Sequence, residues 1–107
     1  MKKIDAHAHL GYIGGWANVG MDADELISLM DTYEIETTMI CVLDNEVAYK
    51  AMQKYPGRIE GCVYVNPLDS DCLDLIDKYV KLGFKAIKLQ PLRHAYCADS
   101  EIVDPIL

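Results

Sequence analysis

A chain of 107 residues, 51% hydrophobic and 25% charged, is long enough for one domain with a real core and has an ordinary globular composition. Its formal net charge of −7 argues against partners that are nucleic acids or anionic membrane surfaces, because either would repel it. No apolar run reaches membrane-spanning length and no apolar signal core precedes the first strand-like residues, so the cytoplasm is the expected location.

Strand and helix signals alternate along the chain. Lys2 to His9 reads as a first strand, followed by a glycine-rich loop with Gly11, Gly14, Gly15 and Gly20 around Trp16. Asp22 is a helix N-cap with Glu25 placed to complete a capping box. Leu26, Leu29, Met30 and Tyr33 then make one apolar stripe. Thr37 to Leu43 is a second strand, apolar almost throughout, as a strand covered on both faces requires.

Asp44 and Asn45 lead into a second helix through Val47, Ala48, Ala51, Met52 and Tyr55, which Pro56-Gly57 ends. Ile59 to Val65 is a third strand, closed by Asn66-Pro67. A third helix is expected from near Ser70 to Leu82, with Leu73, Ile76, Tyr79 and Val80 on one side and Gly83 as the C-terminal glycine. Phe84 to Gln90 is a fourth strand, a loop covers Pro91 to Ser100, and Glu101 to Leu107 begins like a fourth helix.

The order β-α-β-α-β-α-β predicts an α/β fold with a parallel sheet and right-handed crossovers, in one domain over residues 1–107. An open doubly wound sheet and part of a (β/α) barrel both fit. Neither a dinucleotide fingerprint nor a Walker loop follows the first strand. The cysteines Cys41, Cys62, Cys72 and Cys97 form no C-x-x-C pair and read as free thiols in a reducing compartment.

The chemistry concentrates in Ile4 to Gly11, "IDAHAHLG". Residues two apart on a strand share a face, so His7 and His9 can converge on one ion about 2 Å from each ring nitrogen. Gly11 breaks the strand just beyond, which puts both histidines at its carboxyl end, where parallel α/β folds place their active sites. Asp5 shares that face but lies deeper.

"IDAHAHLG" resembles the first-strand H-x-H signature of the amidohydrolase superfamily. "LGFKAIKLQP" resembles the fourth-strand region of the amidohydrolase-related branch that includes metal-dependent carboxylate decarboxylases. The resemblance implies the first half of a TIM-type (β/α)₈ barrel with a divalent metal, zinc above all, held by His7 and His9. The family's further ligands, a histidine from a fifth strand and an aspartate from an eighth, have no counterpart in these 107 residues. Gln90 stands where many relatives have histidine.

Other polar residues fall near the same edge. Lys88 and Gln90 share a face of the fourth strand opposite Ile87 and Leu89, so Lys88 is expected to point into the barrel, where it could bind a substrate carboxylate or, if carboxylated, bridge metals. Asn66, Arg93 and His94 are further candidates for substrate binding, and Trp16 for covering the pocket. The bland alternatives are a turn former for Asn66, a solvated loop for Arg93 and His94, a loop anchor for Trp16, and core packing for Cys62 and Tyr64.

The expected activity is metal-dependent hydrolysis at a C–N or other carbonyl-type bond, or decarboxylation, of a small molecule. The alternative is a non-catalytic half-barrel that self-assembles and binds metal. A closed barrel needs eight strands and about 250 residues. Three explanations stand for the four strands here: a fragment, which the stop at "DPIL" inside a helix start favours; a natural half-barrel whose copies pair to complete eight strands; or a shorter open sheet without the enzyme.

Overall fold

The computed structural model describes all residues from Met1 to Leu107. The first strand is β1, Lys3–Ala8. The glycine-rich segment is not a featureless loop: β2, Gly11–Ile13, and β3, Val19–Met21, pair antiparallel as a small hairpin. Gly11 enters it at φ +91°, a conformation that a side chain would strain. Tyr12 Oη donates to Asn18 Oδ1 across the turn.

Helix α1 spans Ala23–Thr32 and opens with the expected capping box. Glu25 N–H donates to Asp22 Oδ1, and Asp22 N–H donates to Glu25 Oε2, each at 2.8 Å. The predicted second strand is β4, Ile35–Ile40, two to three residues earlier than its apolar run suggested. Helix α2, Asn45–Lys54, follows with Asp44 as its N-cap. Strand β5 is Ile59–Tyr64 and helix α3 is Cys72–Lys81. Gly83, at φ +100°, ends α3 as anticipated. Strand β6 is Ala86–Lys88, shorter than the predicted run. Pro91–His94 forms a single helical turn, α4, inside the predicted loop. The expected fourth helix does not form: residues 101–107 are turns with one 3₁₀ turn at Asp104–Ile106.

The four long-range strands form one curled parallel sheet in the order β1-β4-β5-β6. Spatial order follows chain order, so the sheet has no reversal point of the doubly wound kind. One apolar cluster joins Leu26 and Met30 of α1, Ala48 and Ala51 of α2, and Cys72 and Tyr79 of α3 to Ile40, Val42, Ile59, Val63 and Val65. All three helices thus cover the same face of the sheet. Gly61 makes that packing close, because a Cβ there would lie 2.7 Å from both Met52 Sδ and Phe84 Cε1.

The stripes predicted on the outer helices are only partly buried. On α1, Leu26 and Met30 are covered, but Leu29 and Tyr33 are 42% and 62% exposed. On α3, the buried side is Cys72 and Tyr79 with Leu75 and Ile76 half-buried, while Leu73 and Val80 are both 51% exposed. These two helices flank the open edges of the sheet. No helix is long and apolar enough to cross a membrane.

Candidate metal centre

The helix-free face of the sheet carries the polar residues. β1 delivers His7 directly, and His9 stands just past its last residue. Their Nε2 atoms lie 3.1 Å apart. His9 Nδ1 is 2.6 Å from the carbonyl oxygen of Cys41, just beyond β4. A carbonyl oxygen only accepts, so Nδ1 carries the proton and neutral His9 turns its Nε2 lone pair toward His7 Nε2, from which it accepts. Such a bond from the far ring nitrogen is how metal-binding histidines are commonly oriented.

If a divalent ion is bound here, His7 and His9 are the residues that would hold it, through the two Nε2 atoms that meet at 3.1 Å. His7 is held below the ordinary histidine pKa by burial first, then by the charges of Lys88 and His9, against a smaller opposing effect of Asp5. That favours the neutral imidazole a metal needs. Asp5 is engaged elsewhere, its Oδ1 accepting from His7 N–H at 3.0 Å. No group of three or more His, Cys, Asp or Glu residues comes together.

A cleft of about 360 Å³ opens at the carboxyl edge of the sheet. His9, Lys88, Gln90 and Arg93 line it, with Tyr12 and Ile13 of the hairpin as one wall. The hairpin is thus the part of the pocket that sequence reasoning missed, its two strands being only three residues each. Lys2, Lys3, Lys54, Arg58, Lys78 and Lys81 each hold a carboxylate, whereas Lys88 and Arg93 hold none. Gln90 Oε1 is buried without a hydrogen-bond partner.

Asn66, His94 and Trp16 stand apart from this cleft. Asn66 closes its own turn, donating to Asp69 Oδ1 and accepting from Leu68 N–H, both at 3.1 Å. His94 Nε2 pairs with Tyr64 Oη at 2.9 Å. Trp16 is 98% exposed and lines neither this cleft nor the groove beside β1. Cys41 and Cys62 meet on the helix-free face with Sγ atoms 3.3 Å apart, both thiols free. Burial pushes the Cys62 thiol up to about 12, with the hydrogen bond to Cys41 adding to it.

Asn45 is a structural residue that reading the helix start did not single out. Its Nδ2 donates to the Tyr64 carbonyl at 2.9 Å, and its Oδ1 accepts from Tyr64 N–H at 2.7 Å. This ties the start of α2 to the carboxyl end of β5, beside the cleft. No family model, no curated protein and no solved structure matches the chain.

Proposed function

We propose that the chain is the first half of a TIM-type (β/α)₈ barrel and carries half of the metal centre of an amidohydrolase-like enzyme. His7 and His9 hold the divalent ion, zinc by their nitrogen donors. The observation that carries this reading is the convergence of the two Nε2 atoms, with the His9 tautomer fixed by the Cys41 carbonyl. Helices confined to one face and a strand order that follows the chain support the barrel.

An ion so held supplies hydroxide near neutral pH or polarises a carbonyl or carboxylate. The chain's own residues do the rest of the binding. Lys88 and Arg93, free of carboxylate partners in a chain of net charge −7, draw an anionic small molecule into the cleft. Gln90, which lines the same cleft, offers its side-chain amide to that molecule. The reaction is hydrolysis of a C–N or other carbonyl-type bond, or loss of a carboxylate. Four free thiols, two of them within reach of each other, support a reducing, cytoplasmic setting.

The count of ligands favours a second reading, a non-catalytic half-barrel that binds metal and self-assembles. Two imidazoles are one short of the three protein ligands that catalytic zinc ordinarily has.

Metal titration tests the centre and a hydrolysis assay separates the two readings. Cobalt(II), followed by its visible absorption, should bind the chain and be displaced by zinc, with affinity falling at least about tenfold in His7→Ala and in His9→Ala. Equal binding by the parent and both variants would sink the metal centre. Zinc-dependent cleavage of small N-acyl amino acids, weakened in Lys88→Met, favours the enzyme; binding without any turnover favours the half-barrel.

A further inference from the structure

We infer that two copies of this chain pair edge to edge about a two-fold axis, β1 of each beside β6 of the other, and so close an eight-stranded barrel. The inference rests on the half-barrel reading above but not on the metal.

The surface area carries it. A compact monomer of this mass exposes about 6,000 Å², and this chain exposes 6972 Å². The excess, about 1,000 Å², is close to the ~800 Å² that each partner contributes to a standard interface. Only 19 of the 107 residues are buried. The radius of gyration is 14.7 Å, against about 13 Å for a compact chain of this length.

Part of the exposed apolar surface lies at the two open edges. β1 and β6 are the two open edges of a parallel sheet, and an unpaired edge invites another strand. Beside β1, a groove of about 400 Å³ runs from Asp5, His7 and His9 to an apolar wall under α1 that includes Leu29, Met30 and Tyr33. Beyond β6, α3 leaves Leu73 and Val80 bare, and the segment that follows exposes Leu92 and Leu107. The two edges therefore offer apolar surface of the same kind on the same helix layer.

Symmetry makes the occupant a second copy. Four strands are half the ring of an eight-stranded barrel, so a copy rotated by 180° presents its β6 to β1 and its β1 to β6, and nothing stays open. The axis runs along the barrel and keeps all strands parallel. Both His7–His9 pairs then lie at one rim, on opposite walls of a single interior, which brings more than two imidazoles to a site that has only two in one copy.

Light scattering on the eluting protein tests this directly. The mass should be about 24 kDa, twice the 12.0 kDa of the chain, over roughly 10 to 200 µM. The double variants Leu29→Glu/Tyr33→Glu and Leu73→Glu/Val80→Glu, at exposed positions on either seam, should each return it to 12.0 kDa. Lys50→Glu, on the central helix, should leave the dimer intact. Hydrogen exchange of the unsubstituted chain serves if a variant unfolds: amides of Lys3–Ala8 and Ala86–Lys88 should gain protection as concentration rises through the mass transition. A 12.0 kDa mass throughout, open-ended polymers, a dimer indifferent to both double variants, or edge exchange that ignores concentration would each overturn it.

Discussion

Replacing Asn45 by alanine removes the clasp that holds the start of α2 to the end of β5. The side chain is buried, and it satisfies both the N–H and the C=O of Tyr64. Alanine leaves those two backbone groups without the partner, and a buried unpaired group costs about 1–3 kcal/mol. The two share one site and water can relieve part of the loss, so about 2–4 kcal/mol is the expected destabilisation. With an unfolding entropy near 2.1 cal/mol/K per residue, a chain of this length loses roughly 9–18 °C in Tm. Thermal unfolding followed by circular dichroism, at one protein concentration, reads it out. Asn45→Asp should not rescue, because a carboxylate can accept from Tyr64 N–H but cannot donate to its carbonyl. A shift under about 2 °C in Asn45→Ala would refute the reasoning, since it would mean that β5 ends without this support.

Three further outcomes follow from particular contacts. Gly61→Ala should lower Tm by several degrees, because its Cβ would meet the buried Phe84 ring at 2.7 Å and overpacking costs about 1–3 kcal/mol; an unchanged Tm would show that Phe84 yields freely. Alkylation of the native chain at pH 8 should label Cys97 alone, since it is exposed while Cys41, Cys62 and Cys72 are buried, and mass spectrometry of peptides would reveal any second site. Glu46, held low by hydrogen bonds from Tyr79 and Lys78, and Asp24, held low by Lys54 and Tyr55, should make stability fall on acidification. Both carboxylates have depressed folded values, so their contribution is complete above the ordinary values of 4.5 and 3.8 and is lost as pH drops through the lower folded ones. Glu46→Gln should flatten that fall in a denaturation series from pH 6 to about pH 2.5.

The part of the fold that local chemistry controls was legible. Asp22 and Glu25 three apart are a helix start wherever they occur, and the structure shows both bonds. Period two put His7 and His9 on one face, and their nitrogens do converge. What escaped depends on residues distant in sequence. The carbonyl that orients His9 belongs to Cys41, 32 residues away. The hairpin at Gly11–Met21 has strands of three residues, too short for alternation to register, and glycine-rich besides. Glu101 to Leu107 read as a helix start, yet Pro105 and the packing of Val103 and Ile106 against the core settle it as turns.

The partial failure of the helix stripes is the most informative difference. Periodicity marks Leu29 and Tyr33 on α1, and Leu73 and Val80 on α3, as positions meant for burial. An amphipathic stripe records the surroundings in which a helix is stable, and tertiary packing, not propensity, supplies most of that stability. One copy of the chain covers the inner half of each stripe and leaves the outer half in water. Four such side chains, each contributing about 1.5–3 kcal/mol if fully buried, are a large fraction of what holds a domain of this size together. The central helix α2, with a neighbour on either side, has Ala48 and Ala51 fully enclosed. Val47 of the same helix is 40% exposed, so bare apolar surface is largest on the edge helices but not confined to them. One of these edges, β1, also carries His7 and leads into His9, so the bare apolar surface and the histidine pair lie side by side.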